Sequence, residues 1–186
     1  VWEDLFRPEQ TTGQSEQSAF SLVGKPAPDF DLKDLNGQDT RLADFEGRVV
    51  LLDFWATWCG HCREAVPHLE ALYQEYKGKG LVVLGINSES DQAAARQFAQ
   101  GQITYPVLMD AEKVFGEYGI RAIPTILYVD RAGVIGDCDV GFDPGGEKEI
   151  ERKVLELLTD PEEEQDASPP SQDDSGATVP ASPETR

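Results

Sequence analysis

The sequence is short of positive charge: 16 Lys and Arg stand against 35 Asp and Glu, a formal net charge of -19 over 186 residues. The Lys/Arg surplus that phosphate neutralisation requires is missing, so nucleic acid is a poor partner. The same charge repels anionic lipid headgroups. Long apolar runs are lacking too. The longest, Val49 to Ala56, is interrupted by Asp53 and falls far short of the roughly 20 residues that a bilayer-spanning helix needs. Cysteine occurs three times and histidine twice, too few for a multi-bridge disulfide scaffold. The chain opens on Val rather than Met, with no basic start and apolar core behind it. Any signal or membrane anchor is therefore expected to have been removed already.

The remaining composition, 39% hydrophobic and 27% charged, suits one soluble domain with flanking segments. Residues 159–186 hold eight acidic side chains against one Arg, no aromatics and five prolines. Such a stretch has too little apolar surface to offset its ordering entropy and reads as a disordered acidic tail. Residues 1–22, with Trp2, Leu5 and Phe6 ahead of a Gln/Ser/Thr stretch, read as an N-terminal extension or linker. Residues 23–158 are long enough for a single layered core.

Within that core, Phe30–Leu35 and Gln38–Leu42 flank Asn36-Gly37, a dipeptide that favours a hairpin with positive φ at both central positions. Val49–Trp55 and Leu81–Ile86 are continuous apolar runs of the kind found in strands buried on both faces. Between them Val66, Leu69, Leu72, Tyr73 and Tyr76 recur at helical spacing, with Pro67 inside the pattern, where it should kink the helix. Ser88 or Ser90 could cap a second helix through Ala95 and Phe98. Val107–Met109 reads as a short strand and Glu112–Tyr118 as a short helix. A last hairpin, Thr125–Val129 with Val134–Val140, precedes an amphipathic helix marked by Ile150, Val154, Leu157 and Leu158. The fold class is α/β: a mixed central sheet with helices on both faces.

The chemistry sits where the first buried strand gives way to a helix, in Trp55-Ala-Thr-Trp58-Cys59-Gly60-His61-Cys62. Free N–H groups and the positive helix end favour an anion there, so Cys59 is expected to have a depressed thiol pKa. Cys62, one turn on, can close a small disulfide ring with it or resolve a mixed disulfide. Gly60 lets the chain turn tightly. A protonated His61 beside the thiolate would stabilise the dithiol and make the disulfide more oxidising. A lone C-x-x-C can also be half a zinc site, but zinc needs four ligands and no second cysteine pair exists, so no metal is expected.

The stretch Val50 to Cys62 with Pro67 behind it, and Tyr118-Gly-Ile-Arg-Ala-Ile123-Pro124-Thr125, resemble the thioredoxin superfamily. The leader Val23-Gly-Lys-Pro26-Ala-Pro28-Asp-Phe30, the hairpin after it and the long middle section resemble its TlpA/ResA-like branch of extracytoplasmic thiol-disulfide oxidoreductases. The resemblance spans about residues 23 to 158. It implies a thioredoxin-like fold with an extra N-terminal β-hairpin and a central insertion. Pro124 resembles the family's cis-proline, whose loop faces the cysteines and offers backbone hydrogen bonds to a substrate, with Ile123 and Trp58 beside it. Asp53, buried in its strand, would have a raised pKa and could relay the proton of Cys62 through water; the alternative is a carboxylate reaching solvent at the strand end. Thioredoxin has a lysine near this aspartate, and the matching place here is Gly85. Trp55 should pack below the surface, Cys138 should be a buried, inert thiol, and His68 should lie on an exposed helix face.

The resemblance implies a protein-disulfide oxidoreductase that needs no cofactor. Its partners would be proteins bearing thiols or disulfides and a redox partner, which a membrane could hold; a monomer in a periplasmic or other extracytoplasmic compartment is expected, tethered or free. Direction stays open: His61 pushes toward an oxidant or isomerase, whereas Ile123 before Pro124 matches reducing thioredoxins. A rival reading is a client-binding or chaperone module, for example in cytochrome c maturation. Its dedicated members place Glu after the cis-proline, and Thr125 stands here. Pro26-Ala-Pro28-Asp-Phe30 also resembles the opening of peroxiredoxins. Those require Thr or Ser three residues, and Pro seven, before their reactive cysteine; Ala56 and Leu52 occupy these places.

Overall fold

The computed structural model describes residues 18–143 and 145–159. The first 17 residues of the expected linker and the tail from residue 160 lie outside the described residues. Among the described residues seven strands and four α-helices follow in order: β1 (Asp31–Lys33), β2 (Asp39–Arg41), β3 (Val49–Trp55), α1 (Gly60–Tyr76), β4 (Leu81–Asn87), α2 (Gln92–Ala99), β5 (Val107–Leu108), α3 (Glu112–Glu117), β6 (Thr125–Val129), β7 (Ile135–Val140) and α4 (Glu147–Leu158).

Five strands form the central sheet in the order β5-β4-β3-β6-β7. β3 and β4, and β4 and β5, run parallel, whereas β3 with β6 and β6 with β7 are antiparallel. Every residue of β3 and of β4 is buried, as their unbroken apolar runs require, because side chains of both parities face a covering layer. Alternate residues divide between two cores. Val49, Leu51 and Trp55 pack with α1, α2 and α4 through Cys62, Leu69, Ala95, Ile150 and Val154. Val50, Leu52 and Phe54 pack with Val114 of α3, Phe30 and Tyr118 on the other face. Burying each such Val, Leu or Phe side chain contributes roughly 1.5–3 kcal/mol, which makes this strand the axis of the domain.

The segment ahead of β3 covers both sheet edges. Gly24 and Ala27 donate to the carbonyls of Ile135 and Gly133, and Ile135 donates to Lys25, so Gly24–Ala27 borders β7. Further on, Leu35 donates to Val107 and Met109 donates to Lys33, which sets the β1–β2 hairpin beside β5. Exposed edges invite pairing with other chains, and here the leader pairs with them first. The packed chain begins earlier than Val23: Ala19 and Leu22, in a short 3-10 turn, are buried against this second core.

Two local expectations need correction. The hairpin strands are three residues each, and the loop between them uses positive φ at Gly37 alone, at 81°. A five-residue loop forms because the Asp34 carboxylate accepts from the backbone N–H of both Asn36 and Gln38, at 2.8 Å each, an Asx-type closure that outcompetes a two-residue turn. The second helix is capped by Asp91, whose side chain accepts from Ala94 N–H, rather than by Ser88 or Ser90. α1 runs through Pro67 to Tyr76 as one helix.

Candidate active site

β3 and β4 are parallel, so the segments after their C-terminal ends lie side by side, and the site is built there. Trp55 ends β3 fully buried, and Ala56 accepts a hydrogen bond from Cys59 N–H at 3.2 Å. Between them Thr57 is fastened by Glu89, which follows β4. The Glu89 carboxylate accepts from Thr57 N–H at 2.7 Å and from the Thr57 hydroxyl at 2.8 Å. Asn87, fully buried at the end of β4, donates its amide to the same carboxylate at 3.0 Å and accepts from Glu89 N–H at 2.7 Å. This clamp escaped the sequence reading. The available signal was the acidic residue two positions beyond a buried parallel strand, at the sheet end where α/β proteins place their sites.

Cys59 is the N-cap of α1, with extended backbone (φ -82°, ψ 113°), and its Sγ accepts from Cys62 N–H at 3.2 Å. The two cysteines form a disulfide. Cys59 is 7% exposed and Cys62 1%, so the outer sulfur faces approaching molecules while the inner one is shielded. Across from them the Ile123–Pro124 bond is cis, and the Ile123 carbonyl oxygen lies 3.7 Å from Cys59 Sγ. Trp58 is 74% exposed on the surface beside the disulfide, whereas Trp55 packs below, as its place in the buried strand implies.

Three other residues depart from expectation or refine it. Gly60 is the first helical residue and lies outside the positive-φ set, so no tight turn depends on it. A Cβ there would meet nothing within 4 Å. His61 is exposed, and its Nδ1 lies 3.2 Å from the Glu64 carboxylate one turn on. His68 is half-buried rather than exposed, its ring 5.5 Å from that of Phe142.

Asp53 is 1% exposed, and neither carboxylate oxygen has a hydrogen-bond partner in the protein. Burial alone pushes its carboxyl up to about 7, because removing the charged form from water is costly. It does not reach solvent at the strand end. Its partner across the ladder is Gly85, where no side chain can offer a countercharge. Cys138 pairs with Leu127 on the opposite face of the sheet from the disulfide. Burial, reinforced by the charges of Asp139 and Asp137, pushes its thiol up to about 11, so it is protonated at neutral pH and chemically quiet. Among the described residues no group of three or more His, Cys, Asp or Glu could hold a metal ion.

A thioredoxin-like sheet, a C-x-x-C disulfide at a helix N-terminus and a facing cis-proline define a thiol-disulfide oxidoreductase. The chain belongs to the AhpC/TSA family, which it matches over residues 23–137. It is 40% identical to the thioredoxin-like protein YneN of Bacillus subtilis over 135 residues, covering 70% of this chain and 78% of that one. It is 36% identical to the thiol-disulfide oxidoreductase ResA of Geobacillus thermodenitrificans over 123 residues, 65% and 70% of the two chains. Among solved structures, a putative thiol:disulfide interchange protein DsbE from Chlorobium tepidum superposes with a TM-score of 0.69 at 33% identity, covering 73% of this chain and 97% of that one.

Proposed function

We propose that this protein exchanges disulfides with other proteins, Cys59 meeting the substrate and Cys62 resolving the intermediate. The asymmetry of the pair carries the reading: one sulfur lies at the rim and its partner is sealed one turn further into the core. In the reducing direction the Cys59 thiolate attacks a substrate disulfide, forming a mixed disulfide and releasing one substrate thiolate. Cys62 then gives its proton to Asp53 and attacks Cys59 Sγ. The Cys59–Cys62 disulfide closes, the second substrate thiolate leaves, and two electrons have passed to the substrate. Asp53 suits the proton step because a carboxyl near 7 exchanges protons readily at neutral pH. Trp58, Ile123 and Pro124 form the surface on which the substrate chain rests.

An oxidising, extracytoplasmic compartment is our assignment, supported by the leader and middle section that resemble that branch. Among the described residues no helix is long and apolar enough to cross a membrane. The test is Cys62→Ser, which should accumulate a mixed disulfide with its substrate, while Cys59→Ser should abolish turnover. A Cys62→Ser protein that traps nothing, together with client binding that survives Cys59→Ser, would replace this reading with a binding module. The reduction potential of the pair gives the direction: a value near roughly -270 mV marks a reductant, one above roughly -180 mV an oxidant or isomerase.

A further inference from the structure

Three buried polar groups around Gly85 lack any partner within the protein: the Asp53 carboxylate, the Trp55 indole N–H and the Tyr105 hydroxyl. They belong together. Asp53 and Trp55 are two apart on β3 and so share a face, and Gly85 is Asp53's neighbour on β4. A Cβ on Gly85 would stand 3.0 Å from Trp55 Nε1 and 3.2 Å from the Tyr105 ring, so these two rings occupy the place a residue-85 side chain would take. Tyr105 lies close enough to feel the Asp53 charge. One acceptor and two donors, buried side by side, match what a buried water molecule needs, which is two to four polar partners.

We propose that Trp55 and Tyr105 are positioning residues that set the proton affinity of Asp53, their indole N–H and hydroxyl reaching its carboxylate through the buried water of the Cys62 relay. The proposal rests on the reading of Asp53 as the proton acceptor for Cys62, and adds the groups that tune it. Donors reaching a carboxylate through water favour its charged form and so lower its pKa. The other groups facing this core are accounted for. α1 contributes Cys62, Tyr73, whose ring meets that of Tyr105 edge-on with centroids 6.0 Å apart, and Glu70, which is occupied by Thr104 and Gln74; Arg63 near its start stacks over Phe98. Tyr76 is bonded to Glu151 of α4 and Tyr128 to Asp139 of β7. α2 offers Ala95 and Phe98, and β6 offers Ile126.

The experiment is a titration of the oxidised protein by nuclear magnetic resonance, following the Asp53 carboxyl carbon and the Trp55 indole N–H. In the unaltered protein both signals should move with one midpoint. Tyr105→Phe, which removes the hydroxyl and leaves the ring, should raise that midpoint by about half a pH unit or more. An indole signal that ignores the Asp53 titration, or a midpoint unmoved in Tyr105→Phe, overturns the proposal. The relay reading is judged separately, by the pH profile of disulfide exchange. If the Asp53 midpoint moves in Tyr105→Phe and the profile stays put, the tuning cluster stands and the relay through Asp53 falls.

Discussion

At the residue scale Asp53 is sealed from solvent with no countercharge across the ladder at Gly85, and that isolation has a thermodynamic signature. The folded carboxyl is raised to about 7, above an unfolded value near 3.9, so the folded state binds the proton more tightly. Stability from this group is fully present below about pH 4 and is lost as pH rises to about 7, beyond which the loss is complete. Asp53→Asn, which cannot ionise, should escape it. Denaturant unfolding of the oxidised variant at pH 8 should show a gain on the order of 2–4 kcal/mol over the unaltered protein, shrinking toward zero at pH 4. Equal stability of the two proteins at pH 8 would mean that Asp53 is solvated. Cys59 and Cys62 were legible because their chemistry depends on spacing and on a strand-to-helix junction, both visible in one dimension. Asp53 was legible as an interruption of an apolar run, yet its surroundings were not, since Gly85, Trp55 and Tyr105 come from two strands and a loop.

At the scale of elements, strands buried on both faces and helices with a marked apolar face were readable from periodicity, because those patterns report which side is dry. Caps and loops were less so: Asp34 and Asp91 each do a job assigned to a neighbour, since several polar residues in a row compete for the same backbone N–H groups. The Glu89 clamp is the strongest case. Glu89 joins the turn after β4 to the turn after β3, 32 residues away; its place beyond a buried strand is visible locally, but its partner is not. Its removal has a definite cost. Glu89→Ala leaves Thr57 N–H and the buried Asn87 amide without their acceptor, and each such loss costs about 1–3 kcal/mol. Glu89→Gln keeps one accepting oxygen and should lose less. Both should slow exchange with a peptide disulfide, because Thr57 stands two residues before Cys59 and fixes its approach to α1. Thermal melts alongside exchange rates decide the matter: if Glu89→Ala melts with the unaltered protein, the clamp contributes nothing.

At the scale of the whole molecule, the order of elements and both family motifs were legible, whereas the way the leader wraps the sheet was not. Its pairing with β7 and β5 runs through backbone groups, which carry no side-chain signature. Charge is the one global property the sequence states outright. Residues 18–159 carry a formal -9 and residues 160–186 a further -7, so a substrate approaches a body of net negative charge. Near the site the charge is mixed: Glu64 faces His61 and the Glu89 carboxylate sits behind Thr57, while Arg63 is exposed directly after Cys62, so the long-range bias comes from the net charge of the whole. Field of this kind changes encounter rates rather than the chemical step, and salt screens it over about 10 Å at 0.1 M. Two peptide disulfides of matched length, one rich in Lys and Arg and one rich in Glu, separate these contributions. From low salt to about 0.5 M, the apparent second-order rate for the cationic peptide should fall about tenfold while that for the anionic peptide rises. The rate of resolution by Cys62, read in a single turnover, should not move in either case, because that step is internal. Parallel salt curves for the two peptides would show that short-range contacts at Trp58 and the Ile123–Pro124 loop govern capture, and that the acidity of the chain serves solubility alone.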